Sequence, residues 1–128
     1  EELIDTFLAK GLDLHLETNG TLRVVDHKKF SCITVSPKTR LEDCDADNLA
    51  WLIEAHLATD LKVVWDTSAP ELLSNILIDW SPYGYRRRFL QPMYTPDGSS
   101  NVDEVIQYII QHPHWGLSLQ LHKLLNVR

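Results

Sequence analysis

The chain has 128 residues, 44% of them hydrophobic, which suits a single globular domain (1–128) with a real core and leaves too little for two. Twelve Lys+Arg against 18 Asp+Glu give a formal net charge of −6, which argues against general nucleic-acid binding, because phosphate neutralisation needs a basic face. No apolar run approaches the roughly 20 residues of a membrane helix, and two cysteines, Cys32 and Cys44, make no disulfide scaffold and fit a reducing cytoplasm.

Glu1–Lys10 places Leu3, Ile4, Phe7 and Leu8 on one helical face, with Gly11 as a stop. Leu12–Leu16 reads as a short strand ending in the turn-rich Glu17-Thr18-Asn19-Gly20. Leu22–Lys29 fits a short helix or a loose segment. Ser31–Val35 is the next strand, stopped by Pro37, and 36–45 reads as a polar loop. Asp47–Ala58 has helical periodicity, with Asp45 or Asp47 as its cap. Leu61–Trp65 is almost wholly apolar, as strands covered on both faces are. Pro70–Ile78 fits a helix with proline in its first turn. Arg88–Gln91 reads as a strand. Val102–His112 is an amphipathic helix (Val105, Ile106, Ile109, Ile110) entered through an Asn101 or Ser100 cap, and Gly116–Leu119 is a last strand before a tail. The alternation predicts an α/β fold with a mostly parallel sheet. It leaves an open sheet and part of a barrel as alternatives.

In such folds sites form at the carboxyl ends of strands. Those ends carry Glu17, Thr18, Asn19 and Gly20; Ser36, Pro37 and Lys38; Asp66 and Thr67; Gln91, Pro92 and Tyr94; and Gln120, His122 and Lys123. Polar ends on apolar strands are the pattern of a lined pocket, although polar residues end many strands.

Five segments in order carry a family likeness: Leu16-Glu17-Thr18-Asn19-Gly20-Thr21, Thr34-Val35-Ser36-Pro37-Lys38, Leu61-Lys62-Val63-Val64, Leu90-Gln91-Pro92 and Ser118-Leu119-Gln120-Leu121-His122-Lys123. Over essentially the whole chain they resemble 7-carboxy-7-deazaguanine synthase. That family belongs to the radical S-adenosylmethionine enzymes of queuosine and deazapurine biosynthesis. The resemblance implies part of a partial (β/α) barrel with S-adenosylmethionine lying across strand ends. The implied reaction is the ring contraction of 6-carboxy-5,6,7,8-tetrahydropterin to 7-carboxy-7-deazaguanine with release of ammonia, using a [4Fe–4S] cluster and Mg²⁺. By this resemblance Glu17, Thr18 and Asn19 lie near the methionine and ribose of the cofactor, Ser36 and Lys38 on the next strand end, and Gln91 on the penultimate one. His122 reaches towards the pterin. The residue types suit that chemistry: Glu17 can accept from hydroxyls or an ammonium, Asn19 can donate and accept, and Lys38 can neutralise a carboxylate. Thr18-Asn19-Gly20 is also a good turn former, and His122 also fits a surface tail.

The family's cluster takes three cysteines from one CxxxCxxC-type loop, and Cys32 and Cys44 cannot supply three thiolates. A GGEP-type segment ahead of the Leu16-Glu17 strand is absent as well. With Glu1 first and Met93 as the single methionine, the expectation is a C-terminal portion of such an enzyme. On its own it would be inactive, with no catalytic residue assigned and no cofactor held tightly, and it would either associate with itself through an uncovered sheet edge or lay a rearranged terminal helix over that edge. The alternative is a stand-alone, non-catalytic α/β module for a small ligand or a partner chain. His112-Pro113-His114 with His122 lacks metal-site spacing, so no metal ligands are expected. Arg86-Arg87-Arg88 beside Tyr83 and Tyr85 reads as a solvated strand entrance, and Trp51, Trp65, Trp80 and Trp115 read as core or interface aromatics.

Overall fold

The computed structural model describes residues 2–44, 50–51, 59–95 and 97–125. The helix expected over Asp47–Ala58 falls largely outside them; of it, Ala50 and Trp51 are helical, and Trp51 is buried. In chain order the elements are α1 (Glu2–Ala9), β1 (His15–Thr18), β2 (Cys32–Val35), β3 (Thr59–Trp65), α2 (Pro70–Trp80), β4 (Arg87–Pro92), α3 (Val102–Gln111), β5 (Gly116–Leu117) and α4 (Leu121–Leu124). Short 3₁₀ turns lie at His27–Lys29 and Leu41–Asp43.

The five strands form one sheet in the order β1-β2-β3-β4-β5, and each neighbouring pair is parallel. Sequence order and spatial order therefore coincide. Crossovers of one hand then return on the same side of the sheet, so no topological switch point of the doubly wound kind arises among the described strands.

Burial follows this one-sidedness. Ile33, Val35, Leu61, Val63 and Leu90 point to one face and pack against Leu73, Ile76 and Trp80 of α2 and Val105 of α3. The alternate residues Glu17, Thr34, Lys62, Val64, Phe89 and Gln91 point to the other face and are exposed or half-buried. β3 is thus covered on one face, not on both as its apolar run suggests. Lys62 and Asp60 are the residues that mark its second face.

The strand and helix boundaries have local causes. α1 ends in a Schellman arrangement: the Gly11 amide donates to Leu8 O (2.9 Å) and the Leu12 amide to Phe7 O (3.2 Å), with Gly11 at φ +72°. Leu12 is therefore still part of the helix exit, and β1 begins at His15. β1 then runs through Glu17 and Thr18, which pair with Thr34 and Val35. α2 outlasts its expected end because Trp80 is wholly buried in the core. α3 buries Val105 and packs Tyr108 and Ile109 inward, whereas Ile106 and Ile110 are exposed; Tyr108 lies 4.7 Å from the Trp65 ring and stacks on His112 at 4.0 Å. β5 is shortened to two residues, although the Ser118 amide still donates to Leu90 O.

At the amino ends of β2–β4 one acid holds three strands together. Asp60, 2% exposed, accepts from Arg86 Nε (3.1 Å) and from Arg87 Nη2 (2.6 Å). The Arg86 Nη2 also donates to the Cys32 Sγ at 3.0 Å. Arg88 donates to the carbonyls of Ser81 and Tyr83. The arginine run stands at the entrance to β4 with Arg86 and Arg87 exposed, and it also anchors a buried carboxylate and a chain turn.

Candidate functional site

At the opposite, carboxyl ends of the strands a cavity of about 330 Å³ opens on the half-covered face. β1 and the turn after it contribute Glu17, Thr18 and Asn19, and the segment after β2 contributes Ser36 and Lys38. Lys62 and Val64 come from β3, Gln91 from β4, and Gln120 from the residue before α4. Six of the residues singled out from the sequence, Glu17, Thr18, Asn19, Ser36, Lys38 and Gln91, therefore border one space. His122 does not line it. It is exposed in the first turn of α4, two residues past Gln120.

The turn that presents Thr18 and Asn19 is built from its own side chains. The Thr18 Oγ1 accepts from the Gly20 amide (3.1 Å), and Asn19 Oδ1 accepts from the Thr21 amide (3.1 Å) and hydroxyl (2.8 Å). Gly20 adopts φ +81° and lies in the interior, where a Cβ would meet Val35 and Trp80. The Ser36 amide donates to Thr18 O at 2.7 Å, which brings the second strand end alongside the first. Pro37 is fully buried, and the next carbonyl but one, Thr39 O, accepts from Trp80 Nε1 at 3.2 Å. These contacts fix the backbone on both sides of Lys38.

Lys62 is the residue that the sequence reading passed over. Its Nζ donates to both carboxylate oxygens of Glu17 at 2.9 Å, reaching across β2. The available signal was a lysine inside an otherwise apolar strand, where lysine is disfavoured. Burial pushes the Lys38 ammonium below the usual lysine range, and the nearby Lys62 charge pushes it the same way, while Asp66 and Glu17 oppose the shift. Asp66 itself is held below the usual carboxylate range by the Ser68 hydroxyl and amide. Among the described residues no hydrogen bond or salt bridge engages the Lys38 amine, so the pocket carries one neutralised lysine and one cation open to a ligand.

A third group stabilises the rim. Asn101 Nδ2 donates to Trp65 O (2.8 Å), and its Oδ1 accepts from the Met93 amide (2.8 Å). Asn101 does occupy the N-cap position of α3, but its side chain makes no capping bond. It ties the ends of β3 and β4 instead.

The arrangement can bind an ionic, hydroxyl-bearing molecule through a carboxylate, a free ammonium, and the amides and hydroxyls of Asn19, Ser36, Gln91 and Gln120. No cluster of three His, Cys, Asp or Glu side chains occurs among the described residues. The two thiols are separately engaged, Cys32 with Asp60 and Arg86 and Cys44 with Thr39 and the Arg40 carbonyl. They do not fit an iron–sulfur cluster. No described helix is long and apolar enough to cross a membrane.

No protein-family model matches the chain. Curated relatives do match along all or nearly all of it. The chain is 32% identical over 130 residues to a 7-carboxy-7-deazaguanine synthase of Bradyrhizobium diazoefficiens, covering 100% of this chain and 53% of that protein. It is 30% identical to the protein of that name from Bordetella pertussis (99% and 52%) and 30% identical to the one from Synechocystis (100% and 56%). The chain thus spans about half the length of the curated relatives it matches.

Proposed function

Starting from homology with 7-carboxy-7-deazaguanine synthases over the whole of this chain, we propose that the polar strand-end cavity is one wall of an S-adenosylmethionine site. The chain would correspond to the C-terminal portion of a radical enzyme that contracts 6-carboxy-5,6,7,8-tetrahydropterin to 7-carboxy-7-deazaguanine. The observation that carries this reading is the gathering of Glu17, Thr18, Asn19, Ser36, Lys38 and Gln91 around one space. S-adenosylmethionine brings an α-ammonium, a carboxylate, a sulfonium and two ribose hydroxyls. Glu17 and Asn19 suit the hydroxyls or the ammonium, and Lys38 suits an anionic group. The cofactor, when bound to a reduced cluster, supplies the radical; the residues here bind and orient it.

The cluster does not fit the two thiols of these 128 residues, so its ligands, and with them the chemical step, must come from elsewhere in an active enzyme. His122 would approach the pterin only if α4 turned towards the cavity, and Mg²⁺ would be held mainly by bound substrate. β1 is the first strand of the sheet, and α1, which precedes it in the chain, leaves Leu3, Phe7 and Leu8 exposed. In the isolated chain this edge would pair with a second copy, which sedimentation should register as a dimer. A monomer at all concentrations would remove that part of the reading.

Titration of the isotopically labelled chain with S-adenosylmethionine, followed by amide NMR, tests the site itself. Saturable shifts centred on Thr18–Gly20 and Ser36–Lys38 are expected. Their absence at millimolar cofactor overturns the assignment. Anaerobic iron–sulfur reconstitution of the same chain should yield no 5′-deoxyadenosine, and turnover would refute the predicted inactivity.

A further inference from the structure

We infer that Lys62 is a positioning residue of this pocket, acting on the ligand only through Glu17. The inference rests on the S-adenosylmethionine reading above for the identity of the ligand, but not for the geometry. Lys62 sits inside β3 between the fully buried Leu61 and Val63, with its own side chain 16% exposed, and Glu17 projects from β1 with its side chain 70% exposed. Two strands apart, the pair spans about 10 Å of sheet, and the ammonium engages both carboxylate oxygens at 2.9 Å. A two-point contact removes the rotational freedom that an exposed glutamate otherwise keeps.

Stability does not account for a lysine here. An ion pair whose acid is so exposed adds little to folding, because water competes for the carboxylate and salt screens it. A methionine of similar length would fill the strand position at no desolvation cost. What the lysine does provide is orientation and charge balance. It holds Glu17 over the mouth of the cavity with lone pairs left to accept from ligand hydroxyls or an ammonium. It also cancels the Glu17 charge, so that among the described residues the uncommitted cation of the pocket is Lys38. The site is then divided into an accepting side at β1 and a cationic side after β2, which favours a ligand carrying hydroxyl or ammonium donors at one end and an anionic group at the other.

The Cys32–Asp60–Arg86–Arg87 cluster is already fully engaged in joining strands. The concavity lined by Arg23–Lys29 includes His27, whose buried Nε2 has no hydrogen-bond partner among the described residues, but that ring is half-buried and lies against Trp51, 6.4 Å between centroids.

The test is a double-substitution cycle in Lys62→Met, Lys62→Arg, Glu17→Gln and the double variant K62M/E17Q, read in two ways. Without ligand, the ¹³C carboxyl resonance of Glu17 should move in K62M and return towards its original position in K62R. With S-adenosylmethionine, K62M should weaken binding about tenfold, K62R should restore most of it, and K62M should add little in the E17Q background. An unmoved Glu17 resonance overturns the positioning role whether or not the cofactor binds. Equal losses from K62M with and without Glu17 overturn it too, since Lys62 would then act by another route. If the unsubstituted chain does not bind the cofactor, the ligand assignment fails, and the carboxyl resonance alone decides the role of Lys62.

Discussion

Gly20 lies so close beneath the Trp80 indole that a Cβ placed on it would stand 3.0 Å from Cη2. The same indole donates its N–H to Thr39 O. One side chain of α2 therefore seats both the turn after β1 and the segment after β2, the two backbones that carry Thr18, Asn19, Ser36 and Lys38.

Gly20→Ala combines a left-handed backbone with an overpacked contact, and it should cost about 2–4 kcal/mol in urea unfolding. Gly98 provides the control: it too has a positive φ (+85°), but open space surrounds its Cβ position. Gly98→Ala should cost about 1–2 kcal/mol. Equal losses at the two sites would mean that the Trp80 contact is unimportant.

The Asp60 anchor predicts an acid response. Burial alone would raise this carboxyl, but the hydrogen bonds from Arg87 and Arg86 outweigh it and hold it below its ordinary 3.8. The unfolded chain then takes up the proton more readily than the folded one. Stability contributed by Asp60 is present above pH 3.8 and is lost as pH falls through the lower, folded value. Asp60→Ala should cost about 1–3 kcal/mol at pH 7 by removing the hydrogen bonds that join the strands, while Arg86 and Arg87, 41% and 57% exposed, keep their access to water. Thermal unfolding across pH 7 to 3 should show a shallower acid limb in D60N than in the original chain.

Asn101 makes a different prediction, because it bridges strands where a capping bond to α3 was expected. Asn101→Ala should lose about 1–3 kcal/mol by leaving Trp65 O and the Met93 amide unpaired. Asn101→Asp keeps the acceptor for Met93 but cannot donate to Trp65 O. It should therefore remain destabilised, although aspartate is as good an N-cap as asparagine. Full recovery in N101D would identify a cap in place of a bridge.

Lys38 should titrate below an ordinary lysine, because partial desolvation and the Lys62 charge lower it more than Asp66 and Glu17 raise it. Affinity for an anionic group would then fall with rising pH earlier than the usual lysine value of 10.5 implies. The sign for folding is opposite: the unfolded chain binds that proton more tightly, so stability rises as pH climbs through the window. A ¹⁵Nζ titration of Lys38, repeated in Lys62→Met, checks both the direction and the contribution of the neighbouring cation.

The parallel α/β class and the strand-end residues were legible because apolar runs and their polar ends are local patterns. Pairing is not local. The apolar pattern of β1 stops at Leu16, yet the strand continues through Thr18 because β2 supplies partners for it. The two faces of β3 were hidden in a run where four of the five expected residues are apolar, so that Lys62 looked like an interruption. Asp60 was missed because its significance lies in arginines 26 and 27 positions away. α4 is indistinguishable from a tail in sequence, since four residues carry too little periodicity to register. His122 was placed by likeness alone, and the cavity wall reaches only as far as Gln120.

Because α2 and α3 pack on the same side of the sheet, the two sets of alternating side chains answer to different constraints. Substitutions at Ile33, Leu61, Val63 or Leu90 should reduce the amount of folded protein and leave the ligand preference of what remains unchanged. Substitutions at Glu17, Ser36, Lys62 or Gln91 should do the reverse. A survey of variants that scores cellular abundance and ligand affinity separately would therefore sort these strands into odd and even positions, and that two-residue rhythm would be readable from the scores without any coordinates.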